Sequence, residues 1–139
     1  MFRVSCIQLK SNSSIQSNFI KTERLIKKAV GQKADFILTP EASSLFTLNK
    51  KKLLKQCTSM NKDEYLKGIK RLAKKYKKWI LIGSLVIKTG KKKLVNRSVL
   101  INSKGKIHSY YDKIHMYDVI LSKKERYLES GTFVAGKKY

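Results

Sequence analysis

At 139 residues the chain is long enough to bury one ordinary core, and no apolar run approaches the roughly 18 residues of a membrane span. Met1 to Cys6 offers too little apolar length before Lys10 for a signal peptide, so a cytoplasmic protein with no membrane anchor is expected. The net charge of +23 points on composition alone to nucleic acid or an anionic surface, but five of the 32 basic residues are arginine (Arg3, Arg24, Arg71, Arg97, Arg126) and the lysines scatter over expected helix backs and turns, so nucleic acid is not the expected partner.

Val4 to Leu9 alternates as a first strand, and Ser11-Asn12-Ser13-Ser14 is a polar loop able to cap a helix. Ile15, Phe19, Thr22, Ile26 and Ala29 then repeat at helical spacing, with Gly31 placed to end the helix. Phe36-Ile37-Leu38 is a short buried strand that Pro40 stops, because proline has no N–H for the ladder. This βαβ opening predicts two parallel strands with the helix on one face. Asn49 to Cys57 reads as a short helix. Asn61 followed by Glu64 resembles a capping box before a helix whose buried stripe is Tyr65, Ile69, Leu72, Ala73 and Tyr76. Gly68 inside it costs about 1 kcal/mol relative to alanine, which predicts a close neighbour.

Trp79 to Ile87 is the most apolar run and predicts a central strand, with Gly83 allowing close approach. Thr89-Gly90-Lys91 predicts a turn, Leu94 to Ile101 a strand, and Asn102 to Gly105 a hairpin into Ile107 to Tyr111. From Gly131 to Tyr139 no final helix or strand is expected to dock the end. Cys6 and Cys57 are far apart and lack metal-ligand spacing, so both are expected as buried, reduced core thiols, with neither a disulfide nor a zinc site.

Glu41 sits just past a strand end, where α/β proteins collect catalytic groups, although Pro40-Glu41 alone reads more simply as a turn with a solvated acid. Lys113 leaves another strand in Tyr111-Asp112-Lys113-Ile114-His115-Met116-Tyr117-Asp118, and alone it is equally a solvated strand-end lysine; His115 alone reads as a structural histidine.

Taken together, the segments resemble the nitrilase, or carbon-nitrogen hydrolase, superfamily. The likeness is ordered: Val4 to Leu9 is similar to its first strand, Ala34 to Phe46 to its strand-Pro-Glu segment, and Asn96 to Ile101 to the strand after its helix-strand unit. Tyr111 to Asp118 is similar to its Tyr-Asp-Lys-x-His-Leu-Phe-Asp stretch, Tyr127 to Phe133 to the segment with a second glutamate, and Gly136 to the glycine beyond. The resemblance implies an α/β fold: the N-terminal half of a four-layer αββα sandwich, a mixed sheet with helices on one face. It implies hydrolysis of nonpeptide carbon–nitrogen bonds (amide, carbamoyl or nitrile) by a Glu-Lys-Cys mechanism without metal or cofactor, nearest in flavour to an omega-amidase or carbamoyl-amide hydrolase. Glu41 would be the general base, Lys113 the oxyanion stabiliser, and Glu129 the group that orients Lys113 and the substrate nitrogen.

The chemistry fits these residue types. With reference pKa values of about 8.5 for a thiol and about 4.3 for glutamate, moving the proton is uphill by about 4 units, or on the order of 6 kcal/mol. A sheltered carboxylate and a neighbouring ammonium both reduce that gap. The nucleophile is the departure: Cys6 and Cys57 do not match the family's cysteine, so residues 1–139 are expected to be a partial domain, truncated before the cysteine segment and inactive alone. Its expected partners are a small amide-type substrate and, in the full-length form, a second copy. The alternatives are a catalytically dead remnant or a basic module binding a protein partner or polyanion.

Overall fold

The computed structural model describes residues 1–90, 93–123 and 125–137; Lys91 of the predicted turn and Lys138-Tyr139 lie outside them. Five strands form one sheet in chain order: β1 (Val4–Cys6), β2 (Phe36–Thr39), β3 (Trp79–Lys88), β4 (Leu94–Ile101) and β5 (Ile107–Asp112). The first three run parallel and the last three pair antiparallel, giving the expected mixed sheet. β1 stops at Cys6, short of the expected Leu9. The reason lies in its partner: Ile7 N–H donates to Leu38 O, and the next rung would need an N–H from position 40, which is proline.

Helices α1 (Ile15–Gly31) and α3 (Glu64–Tyr76) cover one face, burying Ile26, Ala29, Ile69, Leu72 and Ala73 against Ile37, Ile80, Ile82 and Val99. Ser14 caps α1 through Ser17 N–H, as the polar loop predicts. Gly31 belongs to the helix itself, and the chain reverses instead through Lys33, in the left-handed region at φ 61°. The cap of α3 is Asp63 rather than Asn61: its carboxylate accepts from Leu66 N–H at 2.7 Å, while Asn61 lies in a 3-10 turn over Met60–Lys62. A charged acceptor at the positive end of a helix outcompetes a neutral amide two residues earlier.

Gly68 has the close neighbour its cost implies. A Cβ there would lie 2.2 Å from the Phe19 ring, so the glycine lets α1 pack directly on α3. Phe19 in turn meets Tyr65 edge-on, with ring centroids 5.9 Å apart.

The sheet face away from α1 and α3 is only partly covered. Cys6, Leu38, Leu81 and Leu100 stand side by side across it, and Cys6 is exposed rather than the buried core thiol expected. α2 (Lys50–Gln56) closes the other end of that face with a small cluster of Leu45, Leu53, Cys57, Val86 and Leu94.

Two features lie beyond the sequence reading. A hairpin of β6 (Asp118–Ile120) and β7 (Arg126–Leu128) follows β5, and a 3-10 turn over Glu129–Gly131 follows it. No helix or strand follows Gly131 among the described residues, as expected, but isolated contacts still dock the segment: Phe133 bridges Leu94, Val134 N–H donates to Leu94 O at 2.8 Å, and Gly136 N–H donates to Lys113 O at 2.9 Å. Isolated bonds of this kind carry no side-chain periodicity, so no pattern announces them.

Candidate active site

The exit of β2 is a tightly bonded elbow. Pro40 ends the ladder, and Ala42 turns the chain in the left-handed region at φ 51°, which costs a non-glycine residue about 1–2 kcal/mol. Ser84 on β3 offsets that cost from both ends: Ala42 N–H donates to its Oγ at 2.7 Å and Ser43 N–H to its carbonyl at 3.1 Å. Ser43 Oγ reaches back to Thr39 Oγ1 at 2.8 Å. β3 is bulged here, its register shifting between Ile82 and Leu85, and Gly83 passes so close that a Cβ would sit 2.2 Å from Thr39 O. The elbow holds Glu41 at the sheet's end.

Lys113 arrives from β5 beside it. Its N–H donates to Asn96 O at 2.9 Å, which extends the β4–β5 ladder by one rung past Arg97 and Asp112. That last pair is locked by a bidentate salt bridge, Nε to Oδ1 at 2.7 Å and Nη2 to Oδ2 at 2.8 Å, so the segment leaves the sheet in a fixed direction.

Glu129 comes from the turn after β7 and is buried, at 6% exposure. Its Oε2 accepts from Tyr117 N–H at 2.6 Å and from Lys113 Nζ at 2.9 Å, while Lys113 Nζ also reaches Glu41 Oε1 at 3.2 Å. Glu41, Lys113 and Glu129, far apart in sequence, therefore meet around one ammonium. Burial works against the Lys113 charge, but the hydrogen bonds it donates to Glu129 and Glu41 outweigh it and hold the pKa above the ordinary lysine value. The ammonium stays charged throughout the neutral range.

The cluster lies in a cleft of about 350 Å³ with an apolar floor of Leu45, Leu53, Val86 and Phe133. Tyr117, Tyr127 and Leu128 form one rim and Phe46 and Leu48 another. The Glu41 side chain is 62% exposed, so the sheltered carboxylate that the proton-transfer arithmetic favours is not formed by these residues alone.

Neither cysteine lines this cleft. Cys57 packs behind its floor, where burial, reinforced by the charge of Asp63, pushes the thiol up to about 12. Such a thiol is protonated and inert at neutral pH. His115 is exposed and does not line the cleft. Among the described residues no group of three or more His, Cys, Asp or Glu is placed to hold a metal ion.

Sequence reasoning missed Asn96, Ser43 and Ser84 as contributors. Asn96 Nδ2 donates to Glu41 Oε1 at 2.7 Å from a nearly buried position on β4. Its one visible signal was a polar amide following the apolar Leu94-Val95 start of a strand.

The fold and site define an α/β protein whose mixed sheet brings Glu41 and Lys113 together at two strand exits, with Glu129 added from the turn after the β6–β7 hairpin. The chain belongs to the carbon-nitrogen hydrolase family, whose model matches residues 3–139, and with it to the nitrilase superfamily. Among curated relatives it is 29% identical over 137 residues to the deaminated glutathione amidase of Yersinia enterocolitica, covering 96% of this chain and 47% of that protein. It is 27% identical to an omega-amidase of Danio rerio, covering 98% of this chain and 48% of the other. The chain spans about half the length of these relatives. Among solved structures, the Caenorhabditis elegans NitFhit protein superposes with a TM-score of 0.87 at 26% identity, over 99% of this chain and 35% of that one. An amidase of Nesterenkonia shares the fold with a TM-score of 0.79 at 20% identity, over 99% of this chain and 49% of that one.

Proposed function

We propose that residues 1–139 supply the acid–base half of a thiol-dependent carbon–nitrogen hydrolase acting on a small amide-type substrate, with the nucleophilic thiol coming from outside these residues. The observation that carries this reading is Lys113 Nζ, held at 3.2 Å from Glu41 and 2.9 Å from Glu129 in a cleft that Leu45, Leu53, Val86 and Phe133 also line. Glu41 takes the thiol proton as the sulfur adds to the substrate carbonyl carbon. The Lys113 ammonium stabilises the resulting oxyanion. Collapse expels the amine, which leaves with the proton held by Glu41, and a thioester remains. Glu41 then deprotonates a water that attacks the thioester, and the second collapse returns the thiol and frees the acid. Glu129, buried and anchored by Tyr117 N–H, fixes where the Lys113 charge sits. The route needs neither metal nor cofactor.

The test is release of ammonia from small amides and carbamoyl amino acids, measured on residues 1–139 and on the same residues with whatever follows Tyr139 in their reading frame. The 139-residue chain is expected to be inactive. In an active longer chain, Glu41→Gln should lower kcat on the order of 10²- to 10⁴-fold and Lys113→Ala on the order of 10²- to 10³-fold. Turnover by the 139-residue chain that Glu41→Gln abolishes would overturn the external thiol, and full activity of Glu41→Gln in the longer chain would overturn the mechanism.

A further inference from the structure

Asn96 touches both Glu41 and Lys113. Its Nδ2 donates to Glu41 Oε1 at 2.7 Å, and its backbone carbonyl accepts the Lys113 N–H at 2.9 Å. It stands on β4 opposite Val86, which is part of the cleft floor, and at 8% exposure its amide has little access to water. The Glu41 side chain is 62% exposed, so solvent can satisfy that carboxylate without help. The amide contact therefore restricts orientation rather than filling an empty hydrogen-bonding need.

We infer that Asn96 is a positioning residue for Glu41, selecting Oε2 as the oxygen that exchanges the proton. Both donors, Asn96 Nδ2 and Lys113 Nζ, arrive on Oε1. Hydrogen bonds to one carboxylate oxygen stabilise charge there and leave the other the better base. A proton added to Oε2 turns Oε1 into the carbonyl oxygen, which still accepts both bonds. A proton added to Oε1 would instead displace one of the donors. The carboxyl group thus passes between its two protonation states without rotating, in both halves of the cycle. An aspartate at the position has the same shape but no N–H, and it would set a second carboxylate against the first.

This inference rests on the hydrolase reading above, and the kinetics separate the two. In the active longer chain, Asn96→Ala is expected to lower kcat on the order of 10- to 100-fold, the worth of one charge-assisted hydrogen bond, with KM within about twofold. Asn96→Asp should lower kcat at least as far. Thermal midpoint and circular dichroism check that each variant folds, since a purely structural role would reduce the folded fraction and leave kcat per folded molecule unchanged. If Asn96→Ala and Asn96→Asp keep kcat within about twofold while Glu41→Gln abolishes it, the positioning role is overturned and the hydrolase reading stands. If Glu41→Gln retains full turnover, both are overturned. Failure of both Asn96 variants to fold assigns the residue to stability and also overturns the inference.

Discussion

Replacing Gly83 by alanine tests whether the approach of β3 to the β2 exit is what holds Glu41 in place. The new Cβ would lie 2.2 Å from Thr39 O and 2.6 Å from both C and O of Pro40, all backbone atoms that cannot swing aside. The nearest contact has to open past 3.0 Å, which drives the two strands apart at the elbow. Overpacking of this kind costs about 1–3 kcal/mol. The same movement breaks the bonds from Gly83 N–H to Thr39 Oγ1 and from Ser84 N–H to Pro40 O, both at 3.3 Å. These add about 1 kcal/mol at their stretched geometry, for a loss of about 2–4 kcal/mol in all. With a urea dependence of about 2 kcal/mol per molar, the unfolding midpoint should fall by about 1–2 M. Gly31→Ala is the matched control, because its Cβ meets nothing within 4 Å in the last turn of α1 and its midpoint should hold or rise. A Gly83→Ala midpoint within about 0.3 M of the parent would refute the reasoning.

Three further outcomes are expected. Lys113 binds its proton more tightly folded than unfolded, so the stability it contributes is complete below its ordinary value of 10.5 and is lost as pH rises through the higher folded value. The deficit of Lys113→Met against the parent, followed by urea unfolding, should be constant from neutral pH to about 10 and narrow above it; a deficit that changes between pH 6 and 9 would contradict the assignment. A thiol-specific reagent should label exposed Cys6 in the native chain at once and Cys57 only on unfolding, and equal rates would contradict the burial described for Cys57. The partly covered apolar face around Cys6, Leu38, Leu81 and Leu100 should drive concentration-dependent self-association of the 139-residue chain, which Leu81→Lys weakens; a parent that sediments as a monomer at all concentrations would count against it.

Much of the scaffold was legible because it rests on patterns with a fixed period. The α1 and α3 stripes, the apolar run of β3 and the turn into β5 each follow from side-chain spacing, and the structure realises all of them. The errors fell where local competition or geometry decides. Asp63 displaced Asn61 as a cap because both offer a side-chain acceptor and one carries charge. Cys6 was read as a core residue from its apolar strand, although burial depends on what lies across the sheet face. The β6–β7 hairpin escaped notice because its strands are three residues each, too short to show a period, yet it delivers Glu129.

The sequence by itself determined the ladder stop at Pro40, the glycines where backbones meet, and the order of Glu41, Lys113 and Glu129 along the chain. These are local consequences of residue chemistry. Only the tertiary structure decided that the three side chains converge on one ammonium and that Asn96 grips both Glu41 and Lys113. It also decided that Cys57 lies behind the cleft floor. Such distances are set by strand order, the bulge at Gly83 and the docking of a hairpin, and no linear spacing encodes a separation through space.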